Sequence, residues 1–491
     1  MIGNEPVASR LVSGTMRLQN RGERSVKVVT HDGLFFHAAG GLKPPSLQFF
    51  EHDATSELPG AMGIAHTRYA TVGHTDGSSL LRNTQPVLSD RPGMATCNNG
   101  DLVNIYSLAD KLRKLGFAFQ TQVDAKIIQA LIIQHLIERE FYTTDRNGAF
   151  VDHLFDSVAA TMDEVVGAYS TLCLLEHGLL AFKDPNGIRP LCMAHREDED
   201  GNIIEWAFSS ESSVFNYFGD YKGITELRPG EAVFIAKDSL DTPHRRVLTD
   251  RPEAFCFFEY NYFARPDSNF HQRYVEVVRQ RLGNILAEEF VHLKNQFDVV
   301  CGLPGTAIST GVAFAEALGL PYRQAIIKVG NKRSFLETSD EKRKKAIDDK
   351  FIFIRDFIEG KRIAIVDDSI VRGTTATKIV ARLRELGAKE VYFLFYTPPI
   401  IGPCFYGIDT PDETKLIAHE RTPEQIAEIM GSDGTYFVSH EGLMRGLELS
   451  KDRLCMACLT RRYPTDVTEA VRRVEHRRRE RDDSLAIESA C

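Results

Sequence analysis

The chain has 491 residues, 43% hydrophobic and 26% charged, and its 59 basic against 68 acidic side chains leave a formal net charge of −9. That length calls for two or three domains rather than one core, and the composition is that of a soluble globular chain, which excludes collagenous, disordered and membrane-embedded classes. A mildly acidic surface is a poor field for nucleic acid. The opening residues, MIGNEPVASR, show no basic segment leading into an apolar one, so no secretory signal is expected. Short strands bounded by Gly, Asp or Asn are predicted at Ser25–Val29, Leu34–His37, Gly63–Tyr69, Thr171–Leu175, Leu179–Phe182 and Ile203–Ser209. Helices interrupt them at Asp124–Arg139, where Ile127, Ile128, Leu131, Ile132 and Leu136 form a stripe, and at Val151–Val166. Strand-rich sequence with few helices predicts an α+β layered domain.

From about Phe297 the pattern changes. The strand Asp298–Gly302 enters a Gly-containing loop and a helix carrying Ile308, Val312, Ala315 and Leu318, closed by Gly319. The strands Tyr322–Lys328, Arg362–Asp368 and Glu390–Thr397 follow, with a helix Thr375–Leu386 before the last. Alternating strand and helix predicts a mostly parallel sheet with helices on its faces. The boundary is expected between Asp238 and Arg273, dividing the chain near 1–250 and 251–491. The basic stretch Arg472–Arg481, RRVEHRRRER, is interleaved with acids and reads as a solvated helix.

The strongest chemical signal is IAIVDDSIVRGTT, Ile363–Thr375. A strand ends in two carboxylates, Asp367 and Asp368, and a short loop carries Arg372, Gly373, Thr374 and Thr375 into a helix. Ligands of open parallel sheets bind beyond the carboxyl ends of the strands. There, backbone N–H groups, Thr hydroxyls and a helix N-terminus receive a phosphate, and paired carboxylates suit ribose hydroxyls and Mg²⁺ carried by a diphosphate.

This run resembles the phosphoribosyl pyrophosphate (PRPP) motif of type I phosphoribosyltransferases. Further segments resemble the glutamine PRPP amidotransferases over nearly the whole chain: LQNRGE (Leu18–Glu23), GIAHTRYATVG (Gly63–Gly73), NTQPV (Asn83–Val87), NNGDLVN (Asn98–Asn104), DPNGIRPL (Asp184–Leu191), FFEYNYFARPDS (Phe257–Ser268), PPIIGPCFYGIDTP (Pro398–Pro411) and CMACLTRRYPT (Cys455–Thr465). The resemblance implies an Ntn-hydrolase-type glutaminase domain followed by an α/β phosphoribosyltransferase domain, with ammonia from glutamine displacing the diphosphate of PRPP to give 5-phosphoribosylamine in purine synthesis. It assigns Asp367 and Asp368 to ribose and metal, Ser369 to PRPP binding, Arg372, Gly373, Thr374 and Thr375 to the 5′-phosphate, Thr306 to the Mg²⁺–diphosphate side, and Lys332 and Arg333 to a lid that closes over PRPP. On the glutamine side it assigns Arg68 to the substrate carboxylate, Asn99 and Gly100 to the oxyanion hole, and Asp124 to the substrate amine. Homo-oligomers and inhibition by purine nucleotides are further implications.

The family uses an N-terminal Cys whose α-amine is the base, whereas this sequence begins Met1-Ile2-Gly3-Asn4 and its first cysteine is Cys97. Two readings stand: the given start falls downstream of a Cys, which the retention of Arg68, Asn99, Gly100 and Asp124 favours, or the nucleophile is lost and free ammonia is used. Two other departures leave room for a paralogue: Gly305 replaces an acid after Pro304, and the lid KVGNKRSF lacks a Tyr. A non-catalytic PRPP or nucleotide sensor is the reading from another class.

The nine cysteines are odd in number and spread out, which argues against a disulfide framework and for a reducing, cytoplasmic setting. Cys455-x-x-Cys458 alone could be redox-active, metal-binding or accidental. With Cys256 and Cys404 it falls where the resemblance implies a [4Fe–4S] cluster in part of the family; Zn²⁺ is the other metal for a four-cysteine site, and plain burial the bland alternative. Cys97, Cys173, Cys192, Cys301 and Cys491 show no partner pattern. His66 reads as structural, and His37, His440 and His476 lack metal spacing.

Overall fold

The computed structural model describes residues 1–51, 54–69, 77–139, 149–329, 350–410 and 412–476. In chain order the first half carries β1 (Ile2–Gly3), β2 (Ser25–His31), β3 (Phe36–Gly41), β4 (Met62–Arg68), β5 (Val87–Asp90), β6 (Gly93–Leu102), β7 (Gly167–Leu175), β8 (Gly178–Lys183), β9 (Cys192–Glu197), β10 (Ile203–Ser209), β11 (Lys222–Glu226), β12 (Glu231–Ala236) and β13 (Ser239–Val247). They form two antiparallel sheets, ordered β11-β9-β10-β1-β4-β2-β3 and β13-β12-β8-β7-β6-β5. Side chains of a strand alternate between faces. On β2, Val29 enters the core between the sheets with Ile2, Ile64, Ala95, Leu174 and Val233, while Val26 and Val28 pack outward against Leu11 and Val12 of the helix Ala8–Arg17. The helices Asp124–Glu138 and Ala149–Glu164 cover the other sheet. The first half is thus a four-layer helix–sheet–sheet–helix sandwich.

The second half carries β14 (Phe255–Cys256), a hairpin of β15 (Asn269–Phe270) and β16 (Arg273–Tyr274), then β17 (Val299–Gly302), β18 (Ile326–Lys328), β19 (Phe351–Phe353), β20 (Arg362–Asp367), β21 (Glu390–Phe395), β22 (Gly434–Phe437) and β23 (Leu454–Cys455). β17, β20, β21 and β22 lie side by side in a parallel sheet. Val300, Ile365 and Phe393 are fully buried, as expected for strands covered on both faces, which read as continuous apolar runs.

Two predicted strands need correction. Phe36 opens β3 rather than Leu34, because the Asp32 carboxylate accepts from the N–H groups of Leu34 and Phe35, both at 2.8 Å, and holds them in a turn. Tyr322–Lys328 is not a strand of the parallel sheet. Tyr322 makes a single bridge to Val300, the chain then turns where the Ala325 N–H donates to the Arg323 carbonyl, and β18 leaves to pair with β19. Among the described residues no helix is long and apolar enough to cross a membrane.

Candidate functional site

β20 delivers Asp367 and Asp368 to the carboxyl edge of the parallel sheet. The Asp368 N–H donates to the Asp367 carboxylate at 2.8 Å, Ser369 Oγ donates to Asp368 Oδ1 at 2.6 Å, and the Thr306 hydroxyl donates to Asp368 Oδ2. Burial raises the Asp367 carboxyl well above the usual carboxylate range, and the neighbouring Asp368 raises it further. Burial also raises Asp368, against the hydrogen bonds from Ser369 and Thr306. Two acids held this way call for a cation or for hydroxyl donors. Beyond them Gly373 caps the helix Thr374–Glu385 at φ 75°, where a Cβ would meet Ile417 at 2.3 Å. Helix N–H groups of the first turn have no intrahelical partner, so this terminus presents donors to an anion.

A second constellation lies in the first half, where β4 ends in Arg68, β6 carries Asn98, Asn99 and Gly100, and Asp124 opens the helix Asp124–Glu138. Asn98 Nδ2 donates to Asp124 Oδ2 at 2.6 Å and the Ala125 N–H donates to Asp124 Oδ1 at 2.8 Å. Burial, with Asp101 adding to it, still pushes the Asp124 carboxyl up to about 7. Burial pulls the Arg68 guanidinium down, opposed by Asp124. Gly100 sits at φ 148°, and a Cβ there would fall 1.9 Å from the Ala168 carbonyl oxygen, so the strand passes its neighbour closely enough to admit only glycine. His66 is a buried support: Nε2 lies 3.1 Å from the Asn98 carbonyl, and burial lowers it to about 4, keeping it neutral.

Both constellations open into one continuous cavity of about 1630 Å³. Arg68, Asn99, Gly100 and Asp124 line one end, and Thr306, Asp367, Asp368, Ser369, Arg372, Gly373, Thr374 and Thr375 line the other. Every site residue assigned from the sequence is therefore brought to that cavity except Lys332 and Arg333, which lie outside the described residues, and the cysteines. Gly305, beside Thr306, has φ 122° and open space around it. Among the described residues no cysteine lines the cavity. Cys97 is buried in the core between the sheets, and burial pushes its thiol up to about 12. Sequence reasoning missed Arg189 and Gly407, which also line the cavity. Both lie in quoted motifs, but their contacts are to residues about 90 and 300 positions away in the chain.

The four other assigned cysteines gather elsewhere. β14 and β23 pair in parallel with Cys256 opposite Cys455. Burial raises the thiols of Cys256, Cys455 and Cys458, and neighbouring thiols of the set raise them further. Burial also raises Cys404, whose Sγ accepts from the Tyr406 N–H at 3.3 Å. Among the described residues no three His, Cys, Asp or Glu side chains stand in an arrangement that would hold a single metal ion.

Comparison with known proteins adds three findings. A family described as a glutamine amidotransferase domain matches residues 74–216. The amidophosphoribosyltransferases of Bacillus subtilis and Methanocaldococcus jannaschii are each 35% identical to this chain, over 95% and 94% of it and over 93% and 95% of their own lengths. The solved structure of the Bacillus subtilis glutamine PRPP amidotransferase complexed with ADP and GMP superposes with a TM-score of 0.81 at 33% identity, covering 95% of this chain and 96% of that one.

Proposed function

The chain belongs to the amidophosphoribosyltransferase family, the enzymes of the first step of purine synthesis, and from that premise we propose how its own residues displace the diphosphate of PRPP with ammonia, taken from glutamine or from solution. The single observation that carries the reading is the shared cavity, with a phosphate-binding strand–loop–helix at one end and a carboxylate-and-amine clamp at the other.

Displacement at an anomeric carbon passes through a cation-like centre, so the protein's work is positioning and stabilisation of departing charge. Asp367 and Asp368 accept from the ribose hydroxyls. The hydroxyls of Thr374 and Thr375 and the N–H groups around Arg372 and Gly373 take the 5′-phosphate, and Ser369, whose Oγ donates to Asp368, steadies the carboxylate beside the ribose. Thr306, Asp367 and Asp368 offer hard oxygen donors that suit Mg²⁺, which when bound supplies neutralisation of the leaving diphosphate. Lys332 and Arg333 keep the lid role that the resemblance implies. At the far end Arg68 holds the glutamine carboxylate, Asp124 its amine, and Asn99 with the Gly100 N–H the acyl oxygen.

A second reading is an enzyme fed only by ammonia, and the observation behind it is that no cysteine lines the cavity among the described residues. Diphosphate release from PRPP with Mg²⁺, compared between glutamine and ammonium chloride, separates the two. Release with both donors supports the full reaction, and release with ammonium alone supports the second. PRPP binding without release with either donor would leave a sensor and overturn both.

Cys256, Cys404, Cys455 and Cys458 would hold a [4Fe–4S] cluster. The donor chemistry supports it: Cys256 stands opposite Cys455 across β14 and β23, and neighbouring thiols of the set raise Cys256, Cys455 and Cys458. Zn²⁺ at the same four sulfurs is the other occupant their chemistry suits. The cluster would supply a covalent tie between the start of the second half, the segment around Cys404 and the C-terminal segment. Purine nucleotides are proposed as inhibitors, on the strength of the relative complexed with ADP and GMP, with a homo-oligomer as the working form and the reducing cytoplasm as its setting.

A further inference from the structure

Arg189 has no part in the reading above. It lies in the loop between β8 and β9, with its side chain 3% exposed. The Asp184 carboxylate accepts from the N–H groups of Asn186, Ile188 and Arg189 at 3.1, 3.0 and 3.3 Å, and Ser170 Oγ donates to the Arg189 carbonyl at 3.0 Å. The outer side of the loop is tied to the second half, where the N–H groups of Ala254 and Cys256 donate to the carbonyls of Asn186 and Ile188. The loop is thus pinned on both flanks, and the guanidinium it carries stands between the two halves, beside Asn99 and Glu259.

Arg189 Nη2 lies 3.1 Å from Glu259 Oε1 and 3.4 Å from Asn99 Oδ1. Glu259 is fully buried and is gripped by Arg21 through contacts of 2.9 and 2.8 Å. Among the described residues Nε and Nη1 of Arg189 are buried without a hydrogen-bond partner, an arrangement that only a strong constraint elsewhere sustains. A guanidinium has donors only, so its contact with Asn99 is made to Oδ1, and the Asn99 N–H₂ group faces the other way, one of its hydrogens toward Ser210 Oγ at 3.4 Å and the other left for a ligand.

We propose that Arg189, set in place by Glu259 of the second half, is a positioning residue that orients the Asn99 amide so its N–H₂ group meets the acyl oxygen of bound glutamine. The second half thereby completes the oxyanion donors of the first. The proposal rests on the glutamine-binding reading, and its test separates the two. Calorimetric titration of the full chain uses glutamine and norvaline, which shares the α-amine and α-carboxylate but has no acyl oxygen. Arg189→Met is expected to weaken glutamine about tenfold, one hydrogen bond's worth, while norvaline changes less than twofold. Arg189→Lys, able to reach Asn99 or Glu259 but not both, falls between, and Glu259→Gln shifts glutamine in the same direction. In an Asn99→Ala background Arg189→Met adds nothing further, since the two act as one unit. Equal weakening of both ligands in Arg189→Lys and Glu259→Gln, or no change in either, overturns the proposal and leaves the glutamine reading standing. A parent chain that binds neither ligand overturns both.

Discussion

Asp124 is held near pH 7 by burial and by the neighbouring charge of Asp101, and only its ionised form attracts an amine. Glutamine affinity is therefore expected to rise about tenfold between pH 6 and pH 8 and to level off above, measured as Kd across that range; Asp124→Asn flattens the profile. The same shift has the opposite sign for folding. A carboxyl raised from 3.8 to about 7 binds more protons folded than unfolded between those values, so its contribution to stability is present at low pH and is lost as pH rises through that window. At the other end of the cavity, Asp368 accepts from Ser369 and Thr306 and lies against Asp367. Asp368→Asn is expected to lower kcat/KM for PRPP about 10²-fold, the scale of losing one stabilising polar group, while glutamine Kd stays within twofold.

At the scale of elements, the site was legible where one element carries it. The strand–loop–helix from Ile363 to Thr375 holds its carboxylates, its glycine and its hydroxyls within thirteen consecutive residues, so spacing alone showed that they would meet at one end of the cavity. Arg68, Asn99, Gly100 and Asp124 were legible only through resemblance, because three elements have to meet before they form a clamp. The strands β2, β3, β4, β7, β8, β10, β17, β20 and β21 were legible from alternation and from apolar runs, whereas β6, which carries Asn98 to Gly100, and β22 were not predicted. The helix Val275–Glu289 was not predicted, because its buried face includes Arg279 and Gly283, which interrupt the apolar stripe. Nor was the departure of β18 from the parallel sheet, which is decided by a turn at Arg323–Ala325 and by the distant β19. Arg189 and Gly407 were illegible for the same reason: a Cβ on Gly407 would come within 3.0 Å of the Gly100 carbonyl carbon, a contact that no local pattern encodes. β14 and β23, two residues each, are too short to hold the C-terminal segment by pairing alone. Cys455→Ser, which would remove one ligand of the proposed cluster, is expected to lower Tm by several degrees and to abolish the broad visible absorbance of protein reconstituted with iron and sulfide; calorimetry and spectroscopy check each.

At the scale of the whole molecule, the chain crosses between halves more than once. Residues 468–476 are helical and return to the first half, where Glu469 Oε1 accepts from the N–H groups of Tyr106 and Ser107 at 3.1 and 3.2 Å, capping the helix Ile105–Lys114 from outside, and Arg473 stands over the Tyr106 ring at 5.7 Å. Glu469→Ala is expected to cost about 1 kcal/mol, the usual worth of a helix N-cap, read as a lower midpoint in urea.

The two residues of β1 lie in the middle of a seven-stranded sheet, with the Met1 amine donating to the Gly63 carbonyl at 2.8 Å. Ile2 stands opposite Met62 on one side and Trp206 on the other, antiparallel to both. A strand built outward from that amine has its course laid down already, along Ile64 to Arg68 on one flank and Phe208 to Ser209 on the other. At about 3.3 Å per residue, an engineered leader of about five residues ends beside Arg68. The amino terminus is thus a mounting point from which a chosen side chain is delivered to the glutamine end of the cavity without altering any residue of the chain.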